Sequence, residues 1–547
     1  MAHRNLIPVF LVVICIITRR FIHSFSVGNL QKHGKKESCV IGNEKAFADL
    51  ATCNLSNNIE ERLEELATNT LLPVFFSGQN EEKELRKCLR NLSTDISRQE
   101  REYLSKLILR TSIFRIQHVY ALSPTNVSIR GAEFLALNST TKTTPDERKQ
   151  FVSQMVHLQA RNFNNSNNDW NHWNDQITHF GLDNIAWKFS IKNSLSLWIA
   201  KLWIDQYGID EAQSLAEYSN NPGPITLRQN YIKSDLDQNL FCEELKKQDN
   251  VIVQPIVRNT TIHAPKWSYR LISKTRSIWS MITWQKGWWE VQDLGSQIIV
   301  QSTMDCLEFC ITKQPHRDEQ QQQRRVFHIL DYCAGNGGKT LALASTCSLA
   351  LKQNQDVDID IHIWAHDIET LRLKQIKGSL PRAGFDQCSN GTVWKAFEKN
   401  IYIHIVEELP PSSFDQFFDV VLVDAPCSSM GVLRRRPSQR WILEEKQIKE
   451  DLPKLQLDIL MNASKLAKES LVYATCSILK QENQDVADSF FNLQKCNIQN
   501  KTLLQWKPWP LLPNESNATN PHYRTLLPHI HDTDGFFIAR WKKCNAI

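Results

Sequence analysis

One glycine-rich segment constrains the fold of this chain more than any other feature. Val326–Leu330 has the apolar character of a buried strand, and it is followed by DYCAGNGGKT and then by a helical pattern at 341–350. Small residues in such a turn let the backbone approach a ligand closely, and the following helix offers free N–H groups. The segment is therefore either a plain turn between strand and helix or the start of a nucleotide-type ligand site.

Two further apolar runs each lead to an acid. The run at 359–365 is followed by Asp367, and the run at 419–423 ends at Asp424. Strand, turn and helix recur in this order, which predicts a parallel sheet with its ligands at the carboxyl ends of the strands. We predict that Asp367 binds ribose hydroxyls, while a carboxylate that caps the next helix is the plain structural alternative.

The glycine segment also comes close to the phosphate-binding P-loop pattern. Gly338-Lys339-Thr340 supplies the end of G-x-x-x-x-G-K-[ST], but Cys333 stands at the first glycine position. A phosphate cradle needs that glycine because the backbone must approach the phosphates closely. A nucleoside triphosphatase is therefore the weaker interpretation, and only magnesium-dependent nucleotide hydrolysis would revive it.

Cys427 and Cys476 stand at the ends of two apolar runs, and a serine follows each of them. One cysteine at a strand end is usually structural, but two on strands of one ligand-binding sheet indicate a reactive pair. The chain has 14 Cys, and no C-x-x-C pair occurs among them, which argues against a disulfide scaffold or a zinc site. We predict no metal.

These motifs resemble the Sun/Nop family of RNA cytosine-5 methyltransferases, and within it the bacterial branch that acts on small-subunit ribosomal RNA. The resemblance covers roughly Ser194 to Lys542, and it includes EVQDLGSQ at 290–297, EN at 482–483 and DGFF at 534–537. It implies an α/β catalytic domain with a Rossmann-like sheet and S-adenosylmethionine as the cofactor.

The resemblance also implies roles for single residues. Cys476 is expected to be the nucleophile, Cys427 to release the product, and Asp424 to act at ring nitrogen 3 of the base. An acid that contacts adenine in the family has only Glu407 or Glu408 as its counterpart here. The cofactor pocket is expected to comprise Cys333, Ala334, Gly335, Asn336, Gly337, Gly338, Lys339, Asp367 and Asp424.

The chemistry of the reaction requires residues of these types. Carbon 5 of cytosine is a poor nucleophile, so a thiolate must add at carbon 6 before carbon 5 can attack a sulfonium methyl group. A hydrogen bond or proton at nitrogen 3 stabilises that adduct. The target base must also leave its stack to enter such a pocket.

A cationic cluster follows Cys427 closely. It contains Arg434, Arg435, Arg436 and Arg440 beside Trp441, and it suits phosphates and stacked bases, although a solvated charge run is the alternative. The net charge of +5 is small, so RNA must be bound by such local patches. The resemblance adds Arg228 and Asn230 as RNA contacts and ribosomal RNA as the partner. We expect a monomer.

The chain divides by pattern into four parts. We predict a leader at 1–40, a helical domain at 45–185 that binds RNA, a small α+β RNA-binding module of RRM-like type at 190–285, and the methyltransferase domain at 286–545. The leader has a twelve-residue apolar run, Leu6–Ile17, and then a basic stretch without acids up to 36.

This leader predicts delivery to an organelle, with a plastid favoured over a mitochondrion, and no stable membrane association of the mature form. A signal anchor and a mitochondrial presequence are the alternatives. A ribosome-assembly factor that binds RNA without needing catalysis is the competing function, although every reactive group of the family is present in the sequence.

Overall fold

The computed structural model describes residues 57–77, 81–92, 96–115, 117–118, 145–164, 185–257, 263–313, 324–353, 359–389, 391–397, 399–409, 411–496, 505–511 and 522–544. The predicted leader at 1–40 lies outside these described residues. Two compact units are present, one within Met1–Pro222 together with Leu433–Leu443, the other within Gly223–Val432 and Glu444–Ile547. None of the helices in the described ranges has the length and apolar character needed to span a membrane.

Helices make up the described part of the first unit, and helices and strands alternate in the second. The helices are α1 (Asn57–Ser77), α2 (Glu81–Asn91), α3 (Arg98–Ile113), α4 (Pro145–Asn164), α5 (Ile185–Asn193), α6 (Leu197–Tyr207), α7 (Ile209–Asn220), α8 (Gln238–Asp249), α9 (Ile282–Gln285), α10 (Leu294–Lys313), α11 (Gly338–Gln353), α12 (Thr370–Ala383), α13 (Pro411–Phe414), α14 (Gln439–Ile442), α15 (Leu452–Leu466), α16 (Gln484–Cys496) and α17 (Pro528–His531).

The strands are β1 (Thr226–Gln229), β2 (Ile252–Pro255), β3 (Ser268–Ser273), β4 (Trp289–Val291), β5 (Arg325–Asp331), β6 (Ile359–His366), β7 (Phe385–Gln387), β8 (Val393–Ala396), β9 (Ile401–Val406), β10 (Phe418–Asp424), β11 (Ala467–Thr475), β12 (Gln505–Pro508), β13 (Tyr523–Leu526) and β14 (Phe536–Cys544).

Apolar side chains at helical spacing explain how the first unit packs. Leu63, Leu71, Leu104 and Val152, from α1, α3 and α4, are fully buried in one cluster, which Trp441 of α14 also joins. Ser97 and Glu100 form a capping box at the start of α3, so the first N–H groups of that helix have partners. The RNA-binding role predicted for this helical region stays a prediction.

The large sheet of the second unit has its parallel strands in the centre. The strand order is β12-β14-β11-β10-β5-β6-β9-β8-β7, with β13 paired to β14. Strands β11, β10, β5, β6 and β9 pair in parallel, and β14 runs antiparallel to β11. The chain order therefore reverses between β5 and β10, as it does in doubly wound nucleotide-binding sheets. The predicted α/β class with a parallel sheet is confirmed.

A smaller antiparallel sheet, in the order β2-β3-β1-β4, precedes the large one. Within the same unit it is joined to the large sheet's helices by hydrogen bonds. Asn230 donates to Ala383 O at 3.0 Å, and Tyr231 N donates to Ser345 Oγ of α11 at 2.9 Å. The strand β4 belongs to this sheet and ends at Val291. Its RRM-like nature and its RNA-binding role stay predictions.

Candidate active site

The carboxyl ends of four neighbouring parallel strands collect the polar residues that the sequence singles out. Asp331 ends β5, Asp367 follows β6, Asp424 ends β10 and Cys476 follows β11. These strands are adjacent in the order β6-β5-β10-β11. Because parallel strands point the same way, all four side chains belong to one edge of the sheet, which is where open α/β sheets bind ligands.

The glycine loop after β5 is fixed to the neighbouring strand. Gly335 N donates to Asp367 Oδ2 at 2.8 Å, and Ala334 N donates to His366 O at 2.8 Å. Gly337 has a φ of 82°, and a Cβ there would lie 2.8 Å from Cγ1 of Ile376. Only glycine combines this backbone conformation with such close packing.

Asp367 is buried, and it also serves the helix that follows. Its Oδ1 accepts a hydrogen bond from Glu369 N at 2.8 Å, just before α12. The helix-capping interpretation therefore describes a contact that is present. Each carboxylate oxygen has a second lone pair, so ribose binding stays compatible with both bonds and stays a prediction.

Asp331 is a site residue that sequence reasoning passed over, because it appeared only as the first residue of the glycine-rich segment. It is fully buried, and its Oδ2 accepts from Thr340 Oγ1 at 2.7 Å. Its Oδ1 has no hydrogen-bond partner. Burial, and then the charges of Asp424 and Asp367, raise the pKa of Asp331 to about 7, although the Thr340 and Lys339 contacts oppose this. The strand ends thus form an acidic pocket.

Cys333 is affected by the same pocket. Burial, followed by the charges of Asp367, Asp424 and Asp331, raises the pKa of its thiol well above the usual value. Cys333 is therefore a neutral thiol at physiological pH, and we assign no nucleophilic role to it.

Lys339 and Asp424 form an ion pair at the centre of the site. Lys339 Nζ donates to Asp424 Oδ2 at 2.6 Å. Burial alone would lower the pKa of Lys339, but Asp424, and then Cys476, outweigh it and raise the pKa. Lys339 therefore carries a positive charge, and that charge is already paired with Asp424.

The two cysteines meet directly. Cys427 Sγ and Cys476 Sγ lie 3.2 Å apart, and Cys476 Sγ lies 3.4 Å from Ser429 Oγ. The hydrogen bond with Cys476, and then burial, raise the pKa of the Cys427 thiol well above its usual value. Cys427 is therefore the partner that keeps its proton, and it can donate that proton to the other sulfur.

Backbone constraints hold the loop that carries Cys427. Ser429 adopts a positive φ of 60°, a left-handed backbone conformation that is uncommon for a residue other than glycine. Gly431 N donates to Cys476 O at 3.0 Å, and Gly535 N donates to Gly431 O at 2.7 Å. A Cβ at Gly431 would overlap the backbone of Gly535. The loop therefore connects both cysteine segments with the segment DGFF at 534–537.

The predicted RNA contacts Arg228 and Asn230 lie elsewhere in the same unit. Both are buried, and Asn230 uses its amide for Gly287 O at 2.8 Å and Ala383 O at 3.0 Å. Arg228 Nε donates to Gln292 Oε1 at 2.9 Å, and its Nη1 has no hydrogen-bond partner. In this conformation the Asn230 amide fastens the small sheet, whereas Arg228 keeps an unused donor.

The arginine cluster is in the first unit, and its members differ in exposure. Arg440 is fully buried; it donates to Asn220 Oδ1 at 2.6 Å and to Ser219 O at 3.4 Å. Arg434 is also buried, whereas Arg435 is half-buried. In this conformation Arg440 therefore acts as a packing residue of the helices, and Arg435 presents more of its surface. The pattern of charges in the sequence carries no signal of this difference.

Comparisons with known proteins find a family match in the second half of the chain. The family described as 16S rRNA methyltransferase RsmB/F matches residues 318–542. Ribosomal RNA small subunit methyltransferase B of Yersinia pseudotuberculosis is 30% identical over 333 residues, which are 60% of this chain and 62% of that protein. The probable ribosomal RNA small subunit methyltransferase B of Synechocystis is 29% identical over 350 residues, covering 63% of this chain and 66% of that protein.

The chain thus spans less than two thirds of the length of these relatives. A solved structure, that of the protein PH0851, matches 88% of this chain and 99% of its own with a TM-score of 0.57 at 18% identity. At that identity the likeness concerns the fold alone. The match at 318–542 includes the glycine loop, the acids at the strand ends and both cysteines. Over residues 318–542 the chain therefore matches the RsmB/F methyltransferase family, the bacterial small-subunit branch of the Sun/Nop family, which uses S-adenosylmethionine as its cofactor.

Proposed function

We propose that this chain methylates carbon 5 of a cytosine in ribosomal RNA through a covalent bond to Cys476. The observation that carries the proposal is the 3.2 Å separation of the Cys427 and Cys476 sulfur atoms next to the Lys339–Asp424 ion pair. A cytosine needs a thiolate at carbon 6 to become reactive at carbon 5, and a second group must later remove a proton. Two sulfurs in contact provide one group for each task.

The acidic pocket supports S-adenosylmethionine as the ligand. Asp331, Asp367 and Asp424 lie at neighbouring strand ends, and the buried Oδ1 of Asp331 lacks a partner. S-adenosylmethionine carries a sulfonium and an ammonium group, whereas a nucleoside triphosphate carries negative charges that these acids repel. Lys339, the one P-loop-like cation, is already paired with Asp424. When bound, the cofactor supplies an electrophilic methyl group.

The reaction then follows from the chain's own groups. The Cys476 thiolate forms a bond to carbon 6, and the electron pair of the ring double bond becomes available at carbon 5, which takes the methyl group. Asp424, held by Lys339, accepts a hydrogen bond from nitrogen 3, which takes a proton from solvent as the adduct forms and returns it when the adduct breaks down. Loss of the proton on carbon 5 restores the double bond, breaks the bond to carbon 6 and returns the thiolate.

Cys427 has a different part in each half of the reaction. Its raised pKa keeps it protonated at first, so it donates to the Cys476 sulfur and stabilises the thiolate. Once Cys476 is bonded to the base, the hydrogen bond that most raises the pKa of Cys427 is lost, and Cys427 can then give its proton to solvent. A thiolate with a high pKa is a strong base, so Cys427 then takes the carbon 5 proton, directly or through a water.

Labelled methyl transfer tests the proposal. The protein is incubated with labelled S-adenosylmethionine and small-subunit ribosomal RNA, and the RNA is digested to nucleosides. We expect the label in 5-methylcytidine, and none with Cys476→Ala, while RNA binding of that variant is retained. Label in another nucleoside, or full activity of Cys476→Ala, would refute the proposal. If the protein is instead an assembly factor whose catalysis is dispensable, ribosomes should mature as well with the Cys476→Ala variant as with the wild-type protein.

A further inference from the structure

A buried carboxylate that the reaction itself does not use binds the residues next to the two cysteines. Glu482 is fully buried, and its four hydrogen-bond donors come from three residues. Its Oε1 accepts from Ser428 N at 2.8 Å and from Gln456 Nε2 at 3.0 Å. Its Oε2 accepts from Ser428 Oγ at 2.5 Å and from Ser477 Oγ at 2.6 Å.

The positions of the two serines give this carboxylate its significance. Ser428 directly follows Cys427, and Ser477 directly follows Cys476. The two hydroxyl oxygens lie 3.3 Å from each other. One carboxylate therefore connects the loop after β10 with the loop after β11, at the residues next to the reactive sulfurs.

Other contacts keep Glu482 itself in place. Tyr473 donates its hydroxyl to Glu482 O at 2.6 Å. The neighbouring Asn483 accepts from Thr475 Oγ1 at 2.6 Å and donates to Ser477 O at 2.9 Å. The turn at 480–483 is thus fastened to the end of β11, and Glu482 extends that rigid attachment across to the Cys427 loop.

The four donors all require an acceptor. A carboxylate offers about four acceptor positions on two oxygens, whereas a glutamine offers one oxygen and places N–H groups where the serine hydroxyls now donate. A buried carboxylate is costly unless it is fully hydrogen bonded, and here the hydrogen bonds to Glu482 are those that join the two loops. The same four hydrogen bonds therefore offset the cost of burial and join the two loops.

We propose that Glu482 is a positioning residue for the reaction, which sets the distance between the Cys427 and Cys476 sulfur atoms by bonding the serine that follows each cysteine. The effect of Glu482 on catalysis, as part of this inference, rests on the proposed function. Its geometric part, the spacing of the two sulfurs, stands independently of which nucleotide the protein methylates.

The test uses the full chain and two measurements. Rates of Cys427–Cys476 disulfide formation with diamide as the oxidant, followed by mass spectrometry, report the sulfur spacing without any methyl transfer. Steady-state methylation reports kcat and KM. For Glu482→Gln we expect about a tenfold slower disulfide formation and a kcat lowered about 100-fold, because displacements of about 1 Å cost this much. The KM for RNA and for S-adenosylmethionine should stay within about threefold of wild type.

Asp249→Asn is the matched control. Asp249 is buried and also accepts four hydrogen bonds, from Arg276 Nη2, Ile282 N, Thr283 N and Thr283 Oγ1. It belongs to the small sheet's helix α8, so its replacement should lower the melting temperature and leave disulfide formation unchanged. If Glu482→Gln does not fold, Ser477→Ala and Ser428→Ala each remove one arm of the connection, and both should slow disulfide formation.

The outcomes separate the two claims. Wild-type disulfide rates and kcat in folded Glu482→Gln, or in both serine variants, would overturn the positioning role. A disulfide rate that falls as much in Asp249→Asn would overturn it too. Disulfide formation that is slower in Glu482→Gln, together with a wild-type protein that methylates no cytosine, would support the role of Glu482 in sulfur spacing. The same result would refute the proposed function.

Discussion

Cys427 Sγ and Cys476 Sγ are 3.2 Å apart although 49 residues separate them in the chain. Each follows a strand in the parallel centre of the large sheet, β10 or β11, and these strands are direct neighbours. The short distance therefore follows from the strand order, and no disulfide or metal is needed to explain it. It permits two sulfurs to act on one base in succession.

Removal of the Cys427 thiol should stop the reaction after the methyl transfer. In Cys427→Ala the base that removes the carbon 5 proton is missing, so we expect a protein–RNA adduct that survives denaturing electrophoresis when S-adenosylmethionine is present. Cys476→Ala should give no adduct. A Cys427→Ala variant that turns over at the wild-type rate and dissociates freely would show that Cys427 has no part in release.

Replacement of either member of the Lys339–Asp424 pair should lower kcat strongly. Lys339→Met leaves a half-buried carboxylate unpaired, and Asp424→Asn removes the group assigned to nitrogen 3, so each should lower kcat by about 100-fold. Because the two side chains are in contact, the double variant should be much less impaired than the product of the two effects. Strictly multiplicative effects in a double-mutant cycle would contradict their coupling.

Binding of S-adenosylmethionine should depend on pH through Asp331. The pKa of Asp331 is about 7, so its carboxyl group is largely neutral below that value, and a cationic ligand favours the charged form. The affinity should therefore rise as the pH increases, by up to about tenfold per unit below the pKa, and level off above it. Binding should also release a proton.

Calorimetry at several pH values, in buffers with different ionisation enthalpies, checks this dependence. Asp331→Asn should bind more weakly and with little pH dependence in the same range. An affinity of the wild-type protein that does not change between about pH 6 and pH 8 would show that Asp331 does not ionise on binding.

The arginines that follow Cys427 should divide into two groups. Arg435→Gln should weaken RNA binding and reduce the slope of log Kd against log salt by about one for each phosphate that the variant no longer binds. Arg440→Gln should instead lower the free energy of unfolding by about 1–3 kcal/mol. The buried guanidinium of Arg440 donates hydrogen bonds to oxygen atoms, and in the variant these oxygen atoms are left without a donor. Equally weakened RNA binding in both variants, without a change in melting temperature, would contradict this division.

The sequence predicts the elements that carry the site better than it predicts their side-chain contacts. The apolar runs that end at Leu330, Ala365 and Asp424 are strands in the structure, and the alternation of strand and helix predicts their parallel pairing. These features arise from local periodicity and from the rules of α/β connection. They need no knowledge of long-range packing.

Contacts between distant residues could not be predicted in this way. Glu482 is visible in the sequence as part of a motif, but its bonds to Ser428 span 54 residues. Arg440 is assigned to RNA from its charge and Asn230 from the family resemblance, whereas the structure buries both against carbonyl oxygens. A hydrophilic side chain gives no sign of whether its partner is solvent, RNA or the protein backbone.

The central claim is that a sulfur of this protein becomes bonded to its target base, and one measurement tests it directly. RNA that carries 5-fluorocytosine can accept the thiolate and the methyl group but cannot lose fluorine as a cation, so the adduct persists. Digestion and mass spectrometry then identify the modified peptide. Our account predicts that the base is attached to Cys476. Attachment to Cys427, or steady methylation of normal RNA with no adduct formed on the fluorinated RNA, would contradict it.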